Sequence, residues 1–314
     1  MSVYTRLTKE QLEQLLSHYE IGNFIDIEGI SEGITNSNYY LTTSKNKYIL
    51  TIFEEPSLNL NYAIELMDIL ADKKIPCPTP IRTKKGEQVI NLIDKPISIF
   101  TLLPGKTITN IIPSVNMCKQ IGETLAKLHL HSKEHKKYDL GLRDNSWFIR
   151  TAEKLNPVLN INDIHLIDKE ILNQQDCVNK NLPEGVIHSD LFRDNAMFIG
   201  EELTGVIDFY YACNGYYLYD LAIITNDWCL KDNREIDFVR QDALIKSYNK
   251  IRKIEPIEKV MWPKVLRHAA LRFWLSRLHD KYYPTDGEIT RVLDPNEFKL
   301  ILIDRINNSY QLNL

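Results

Sequence analysis

The chain contains the segment Val186-Ile-His-Ser-Asp-Leu-Phe-Arg-Asp-Asn-Ala-Met-Phe198, in which a histidine, an aspartate and an asparagine follow the spacing His-x-Asp-x-x-x-x-Asn. A further aspartate, Asp208, ends a short apolar run 18 residues after Asp190. A His-x-Asp match alone often arises by chance, and an Asp-Asn pair in a loop is usually part of a turn. Agreement of three elements in order and spacing is more specific, and it favours a catalytic function.

These residue types suit phosphoryl transfer. In that reaction the protein supplies a carboxylate that orients the attacking hydroxyl, and oxygen ligands that hold Mg²⁺ on the phosphates. Mg²⁺ prefers a few carboxylate or amide oxygens and keeps several water molecules. The spacing therefore predicts that Asp190 faces the hydroxyl, while Asn195 and Asp208 are the metal ligands.

Composition predicts an ordinary globular protein. The 314 residues are 44% apolar and 25% charged, and 38 Lys+Arg against 42 Asp+Glu give a net charge of −4. These values exclude a disordered chain, a fibre and a small disulfide scaffold. Because a nucleic-acid binder is normally basic, no nucleic-acid partner is expected.

The same composition argues against secretion and membrane insertion. No apolar stretch approaches the roughly 18 residues that cross a bilayer, and residues 1–20 lack the basic and apolar regions of a signal peptide. The five cysteines are scattered, without a Cys-x-x-Cys pair. The sequence therefore predicts a cytoplasmic protein with reduced, buried thiols and no membrane partner.

Hydrophobic periodicity divides the chain near Pro104-Gly105. Before that point short strands surround one helix, and after it long helical patterns dominate. We therefore predict an α+β fold with an N-terminal lobe (residues 1–103, an antiparallel sheet plus a helix) and a mainly helical C-terminal lobe (residues 104–314). The predicted strands are 38–42, 47–53, 88–92, 96–103, 196–199 and 204–209. The predicted helices are 8–19, 61–73, 115–131, 163–179, 218–228, 235–248 and 264–279.

These residues resemble the aminoglycoside phosphotransferase/choline kinase superfamily, whose members share the two-lobed protein-kinase-like fold. Besides the segment quoted above, the resemblance includes Leu103-Pro-Gly105, Leu125-Ala-Lys-Leu-His129 and Tyr219-Asp-Leu-Ala222. Within the superfamily, segments 49–54, 76–80, 188–195 and 270–280 are similar to those of the homoserine kinase family. The similarity covers almost the whole chain.

The resemblance implies a kinase that uses ATP and Mg²⁺ to phosphorylate the side-chain hydroxyl of a small molecule, L-homoserine. It implies that His188 braces the catalytic loop, that residues 31–38 form the turn covering the phosphates, and that the backbone of residues 100–102 meets the adenine. A glycine in such a turn allows close approach of the backbone to the phosphates. The implied nucleotide-binding residues are Ser31, Gly33, Thr35, Asn36, Ser37, Phe100 and Leu102.

One departure from most kinases of this fold concerns the lysine of the third strand, which pairs with a helix glutamate and touches the phosphates. Thr51 occupies that position here, as it does in the homoserine kinases that the sequence resembles. The candidate helix glutamate, Glu65, projects away from the apolar stripe of its helix, so a solvated acid is as good an interpretation as a functional one.

A zwitterionic acceptor such as homoserine needs a cation for its carboxylate and acceptors for its ammonium group. On the helix over 264–280, Arg267 and Arg277 fall inside the apolar arc, whereas Arg272 projects towards water. A buried guanidinium needs an acidic partner, which is either a structural carboxylate or that of the substrate. Asp227 is either an ammonium ligand or a surface acid.

Two alternative functions stay open. The chain could phosphorylate another small molecule, such as an aminoglycoside, choline or methylthioribose, although polycationic aminoglycosides favour an acid-rich pocket. It could also be a nucleotide-binding scaffold without turnover, an interpretation suggested only by the missing lysine. Asp220, three residues after Tyr217, is predicted to brace the fold.

Overall fold

A five-stranded antiparallel sheet forms the N-terminal part of the protein. The computed structural model describes residues 5–30, 36–54, 59–109, 111–141, 145–178, 181–284 and 293–314. The elements of this part are α1 (Lys9–Ser17), β1 (Phe24–Gly29), β2 (Ser37–Thr43), β3 (Lys47–Ile52), α2 (Leu60–Asp72), β4 (Ile90–Leu92) and β5 (Lys95–Thr101). The strands follow the order β1-β2-β3-β5-β4.

Helix α1 covers one face of this sheet. The Thr8 side chain accepts a hydrogen bond from the Gln11 N–H, and the Gln11 side chain accepts one from the Thr8 N–H, so both ends of a capping box are present. The helix buries Leu12, Leu15 and Leu16 against inward-facing residues of the strands. Each fully buried leucine contributes about 2 kcal/mol of hydrophobic stabilisation.

Helix α2 packs into the larger hydrophobic core of the protein. Asn59 caps its first turn, and after it ends the prolines of residues 76–80 prevent the helix from continuing. Its buried residues, which include Leu66 and Met67, belong to the larger hydrophobic core together with Phe100 of β5 and Ile121. A continuous apolar core therefore connects side chains on both sides of the predicted boundary at residue 103.

Helices surround two small sheets in the C-terminal part. The elements are β6 (Lys106–Thr107), α3 (Val115–His131), α4 (Asn145–Leu155), α5 (Ile161–Val178), β7 (Glu184–Ile187), β8 (Ala196–Ile199), β9 (Glu202–Val206), β10 (Cys213–Tyr216), α6 (Tyr217–Trp228), α7 (Phe238–Ile251), α8 (Pro256–Tyr282) and α9 (Pro295–Asn307). The sheets have the strand orders β6-β8-β9 and β10-β7. They hold the two ends of the segment that carries the His-x-Asp-x-x-x-x-Asn pattern.

The predicted α+β fold is confirmed, and the elements that the sequence did not reveal are short or weakly patterned. Strands β1, β6, β7 and β10 and helices α4 and α9 were not predicted, and α8 is longer than the predicted 264–279. The division into lobes at residue 103 stays a prediction. Four cysteines that the structure describes, Cys77, Cys118, Cys213 and Cys229, are free and buried. Within the described ranges, no helix has the length and apolar composition of a bilayer span.

Helices α3 and α7 approach each other closely at Gly122. A Cβ atom at this position would lie 2.4 Å from the carbonyl oxygen of Leu244 and 2.5 Å from the Ser247 hydroxyl. Both distances are shorter than van der Waals contact, and the nearer atom belongs to the backbone of α7. A glycine here is therefore a packing requirement, although glycine lowers the intrinsic helix propensity.

We expect Gly122→Ala to lower the free energy of unfolding by about 1–3 kcal/mol, because overpacking outweighs the roughly 1 kcal/mol gained in helix propensity. Urea denaturation measures the change. The matched control is Lys127→Ala on the exposed side of the same helix, which should stay within about 0.5 kcal/mol of the parent protein. A stabilised Gly122→Ala variant would show that α3 and α7 pack less closely than the 2.4 Å distance indicates.

Candidate active site

The loop after β7 is held by a buried carboxylate on α6. Asp220 accepts hydrogen bonds from the backbone N–H groups of His188 and Ser189, both at 2.7 Å. The Asp220 side chain also lies 3.0 Å from Nε2 of His129, whose Nδ1 is 2.7 Å from the Tyr248 hydroxyl. Asp220 thus satisfies buried donors of the loop and of α3, as predicted for a bracing acid.

A second acid of α6 holds the loop further along. Asp227 accepts hydrogen bonds from the backbone N–H of Arg193 at 2.8 Å and from its Nε at 3.1 Å. Asp220 and Asp227 are seven residues apart, which places them on one face of the helix. The loop therefore lies along α6 and is bound at two points. The predicted alternative of Asp227 as an ammonium ligand finds no support, because its carboxylate is engaged by the loop.

His188 ties the loop to the segment before Asp208. Its Nε2 lies 2.9 Å from the carbonyl oxygen of Ile207, and its Nδ1 accepts a hydrogen bond from the Asp190 N–H at 3.3 Å. The neutral tautomer with a proton on Nε2 satisfies both contacts. Burial lowers the pKa of His188, which also favours the neutral ring. These contacts fit the bracing role that the resemblance implied.

Asn195 lies directly beside Asp190. Its Nδ2 group donates to the Asp190 carbonyl oxygen at 2.8 Å and lies 3.5 Å from Oδ2 of the Asp190 carboxylate. The Asn195 backbone carbonyl accepts a hydrogen bond from Ile207 N–H at 3.0 Å. The amide nitrogen therefore points to the loop, and Oδ1 is the atom of Asn195 that can ligate a cation.

Asp208 follows Ile207 in a left-handed backbone conformation, with φ of 64°. Because Ile207 is bound by both His188 and Asn195, the backbone of Asp208 is held directly beside the loop that carries Asn195. Burial raises the pKa of Asp208 to about 6, the negative charge of Asp194 adds to this effect, and the Tyr210 N–H opposes it.

The donor set fits a divalent cation. Asp208 is a partly buried carboxylate, and the negative charge of Asp194 lies near it. A bound cation would reduce the electrostatic repulsion between these two acids. A carboxylate and an amide oxygen, completed by phosphate oxygens and water, are ligands that suit Mg²⁺. Within the described residues, no group of three His, Cys, Asp or Glu side chains forms a metal cluster, so the protein alone does not complete a coordination shell.

The nucleotide-binding residues predicted in the turn are only partly described. Ser31, Gly33 and Thr35 lie outside the described residues. Ser37 donates to a Glu54 carboxylate oxygen at 2.5 Å, and Asn36 Oδ1 accepts from the Glu54 N–H at 3.3 Å. Both residues therefore bind Glu54, which lies two residues after β3, and their predicted nucleotide contacts stay a prediction.

The predicted hinge residues lie at the end of β5. Phe100 is buried and pairs with Ile49 of the neighbouring strand, whereas Leu102 is exposed directly after the strand. On β3, the Thr51 hydroxyl donates to Asn38 Oδ1 at 2.7 Å. Glu65 forms an exposed pair with Lys137 at 2.5 Å, which matches the interpretation of a solvated acid.

Each of the two arginines predicted to face inward on α8 has an acidic partner within the chain. Arg267 donates through Nε and Nη2 to both oxygens of the buried Glu170, at 2.9 and 2.5 Å. Arg277 binds Glu297 of α9 at 2.6 Å. The structure thus favours the structural ion pair over capture of the substrate carboxylate at both positions.

The prediction that Arg272 projects towards water is wrong. Arg272 is only 2% exposed, and its Nη1 lies 3.2 Å from Oδ1 of Asp190. The helical projection failed because α8 packs against α4, α5, α6 and α9 and is buried on nearly every side. The sequence did contain a signal, since Leu271, Phe273 and Trp274 surround Arg272 with apolar residues, a pattern typical of a helix without a solvent face.

A small cavity opens beside Asp190. Its volume is about 40 Å³, which holds two or three water molecules. The lining residues come from the catalytic loop, the segment before α4, the residues around β10 and helices α6 and α8. They are Leu140, Gly141, Ser189, Tyr211, Cys213, Tyr219 and Arg272. The structure therefore places one cation, the Arg272 guanidinium, at both the cavity and the Asp190 carboxylate.

We expect Asp220→Asn to lower the free energy of unfolding by about 1–3 kcal/mol, because an NH₂ group would replace one acceptor and leave a buried N–H without a partner. The turnover number should fall as well, since the same N–H groups fix the loop that carries Asp190. Urea denaturation and steady-state kinetics measure the two effects.

The matched control is Asp242→Asn, which breaks an exposed pair with Lys246 one helical turn away and should cost no more than about 0.5 kcal/mol. An Asp220→Asn protein as stable and as active as this control would contradict the bracing role.

Comparison with known proteins identifies the family. The profile of the phosphotransferase enzyme family matches residues 26–253. The chain is 42% identical to a homoserine kinase of Methylobacillus flagellatus, over 96% of this chain and 94% of the relative, and 37% identical to a homoserine kinase of Neisseria meningitidis, over 96% and 99%.

Among solved structures, an amicoumacin kinase in complex with AMP-PNP, Ca²⁺ and its ligand is similar, with a TM-score of 0.73, 14% identity and coverage of 96% of this chain and 93% of that one. A spectinomycin phosphotransferase in complex with ADP and spectinomycin has a TM-score of 0.69 and 15% identity, with 95% and 94% coverage. At this level of identity the two structures support the fold.

Proposed function

This chain belongs to the homoserine kinases of the phosphotransferase enzyme family, and from that premise we propose that it transfers the γ-phosphoryl group of MgATP to the side-chain hydroxyl of L-homoserine. The products are ADP and O-phospho-L-homoserine, the precursor consumed in threonine biosynthesis. The observation that carries the proposal is the arrangement of Asp190, Asn195 and Asp208 around one braced loop.

In this reaction a bond forms between the homoserine hydroxyl oxygen and the γ-phosphorus, and the bond from that phosphorus to the β,γ-bridging oxygen breaks. The electron pair of the broken bond leaves with ADP. Asp190 orients the hydroxyl and accepts its proton as the new bond forms. Because the proton leaves late when the transition state is loose, Asp190 needs no strong basicity, and positioning supplies most of the catalysis.

The fixed geometry of Asp190 comes from its neighbours. Asn195 holds its backbone carbonyl, His188 accepts its N–H, and Arg272 contacts its carboxylate. These contacts restrain the side chain before the substrate arrives, so less orientational freedom is lost in the transition state. Oδ1 of Asn195 and the Asp208 carboxylate would hold Mg²⁺, which neutralises charge on the phosphates when it is bound.

The cavity beside Asp190 favours a small acceptor. Its volume is about 40 Å³, far below that of an aminoglycoside. A buried guanidinium at the cavity also repels a cationic acceptor such as an aminoglycoside or choline. Size therefore disfavours an aminoglycoside, and charge favours an acceptor that carries an anionic group. A non-catalytic scaffold would not need the complete set of Asp190, Asn195 and Asp208.

The decisive assay measures ADP release from the purified protein with MgATP and a panel of acceptors, namely L-homoserine, choline, methylthioribose and an aminoglycoside. Homoserine-dependent release, with O-phospho-L-homoserine identified as product, supports the proposal. Turnover with another alcohol alone would replace homoserine as the acceptor. Nucleotide binding without turnover on any acceptor would support the scaffold.

We expect Asp190→Asn to lower kcat by about 10²- to 10⁴-fold, because the amide cannot accept the hydroxyl proton. The change preserves the shape of the side chain, so binding of a fluorescent ATP analogue should be unchanged. The control Asp232→Asn removes an exposed acid and should leave kcat unaltered. Full turnover by Asp190→Asn would remove Asp190 from its catalytic role.

A separate expectation concerns the metal. Asp208→Asn should raise the half-saturating Mg²⁺ concentration by tenfold or more, since the variant loses the anionic ligand. Because burial raises the pKa of Asp208 to about 6, protons compete with the cation below that pH, and the Mg²⁺ requirement of the parent enzyme should rise as pH falls through about 6.

This pH dependence should be absent from Asp208→Asn, which has no titrating group at the position. Titration of activity with Mg²⁺ across this pH range provides the measurement. An unchanged Mg²⁺ requirement in the variant would show that the cation is held elsewhere.

A further inference from the structure

The cavity beside Asp190 is next to the proposed catalytic carboxylate and is lined by a buried positive charge, the Arg272 guanidinium. Ser189, which precedes Asp190, and Arg272 of α8 both line the cavity. Arg272 is 2% exposed, and its guanidinium contacts the Asp190 carboxylate at 3.2 Å. An arginine keeps its charge when buried, so any molecule that enters the cavity meets a positive charge.

The contact with Asp190 uses little of the hydrogen-bonding capacity of Arg272. A guanidinium carries five N–H donors in a planar fork, and among the residues that the structure describes, Asp190 is the one side-chain or backbone acceptor to which it donates. A single-point contact differs from the two-point pairing of Arg267 with Glu170 on the same helix. Arg272 therefore retains donors for a second anion.

We propose that Arg272 binds the carboxylate of the amino-acid acceptor and thereby selects homoserine over alcohols that lack a carboxylate. The inference rests on the proposed function and adds the residue that determines its substrate specificity. The distances are compatible: homoserine extends about 5 Å from its hydroxyl oxygen to its carboxylate carbon. With the hydroxyl at Asp190, the carboxylate reaches the part of the guanidinium fork that lies beyond the 3.2 Å contact.

The other arginines of α8 are poor candidates for this role. Arg267 binds both oxygens of a buried glutamate, and Arg277 binds Glu297 and the Asp294 carbonyl oxygen. Neither of these two residues lines the cavity beside Asp190. Of Arg267, Arg272 and Arg277, Arg272 is the one that both is buried and lines the cavity beside Asp190.

An alternative role for Arg272, positioning of Asp190, predicts a different effect of its substitution on substrate preference. If Arg272 only positions Asp190, its loss impairs phosphorylation of every alcohol by the same factor. If it binds the carboxylate, its loss impairs homoserine selectively. The compound 3-aminopropan-1-ol is homoserine without its carboxylate, so comparing the two acceptors isolates the carboxylate contact.

The experiment measures kcat/KM for L-homoserine and for 3-aminopropan-1-ol in the parent enzyme and in Arg272→Gln, Arg272→Lys and Arg277→Gln. The parent should prefer homoserine by tenfold or more, since a charged hydrogen-bonded pair gives at least this discrimination. In Arg272→Gln the preference should fall by tenfold or more, chiefly through a higher KM for homoserine.

Arg272→Lys keeps the charge but lacks the fork, so it should fall between the parent and Arg272→Gln. Arg277→Gln makes the same chemical change on the same helix outside the cavity, and its preference should equal that of the parent. Thermal unfolding with and without an ATP analogue verifies that each variant is folded.

A measurement on the parent enzyme makes the test independent of variant folding. L-2-Aminobutyrate retains the carboxylate of homoserine and lacks the hydroxyl, whereas propylamine lacks both groups. The first should inhibit competitively with homoserine at concentrations at least tenfold below the second. Equal inhibition by the two compounds would overturn carboxylate recognition.

The outcomes separate the two proposals. If the parent enzyme does not phosphorylate homoserine, the proposed function fails, and the inference fails with it. If it phosphorylates homoserine but both acceptors decline equally in the Arg272 variants, the function stands and Arg272 is a positioning residue for Asp190. An undiminished preference in Arg272→Gln would likewise overturn the inference alone.

Discussion

The hydrogen bonds that the buried Asp220 carboxylate accepts from the backbone N–H groups of the loop after β7 are the constraint on which the site depends. Two loop N–H groups donate hydrogen bonds to this carboxylate, at 2.7 Å each. One of them belongs to Ser189, whose φ is 61°. A left-handed backbone is unfavourable for a residue other than glycine and persists only when its surroundings hold it. Asp227, two helical turns further along α6, binds Arg193 and fixes the far end of the loop. One face of α6, through Asp220 and Asp227, therefore fixes the loop over 188–193 at both ends.

The same loop links the proposed metal ligands to the cavity beside Asp190. Ile207 receives a contact from His188 on its carbonyl oxygen and donates its N–H to Asn195, which aligns Asp208 with the loop. Arg272 of α8 contacts both Asp190 and the cavity. Asp190 is thus in contact with Asn195, a proposed ligand of the cation, and with a guanidinium suited to an anion. This arrangement matches a reaction in which a metal-bound phosphate meets an acceptor that carries its own negative charge.

Much of the fold followed from local patterns. The Thr8 capping box, the helix over 115–131 and the strand over 196–199 agree with the structure within a residue or two, because caps, helical periodicity and short apolar runs are local properties. The short strands β7 and β10 pair with each other across 26 or more residues, so their partners could not be recognised locally. Helix α8 misled the projection because its environment, and not its own sequence period, determines which of its faces are buried.

The sequence by itself determined the class of chemistry: the spacing of His188, Asp190, Asn195 and Asp208 predicted a catalytic carboxylate and two oxygen ligands, and that pattern is typical of phosphoryl transfer. The tertiary structure decided which charges are available to the substrate. Arg267 and Arg277 looked suitable along the helix, but residues distant in sequence neutralise them, whereas Arg272 reaches Asp190 across 82 positions of the chain. Pairing of buried charges depends on distances of a few ångströms between separate elements, and a linear pattern contains no information about such distances.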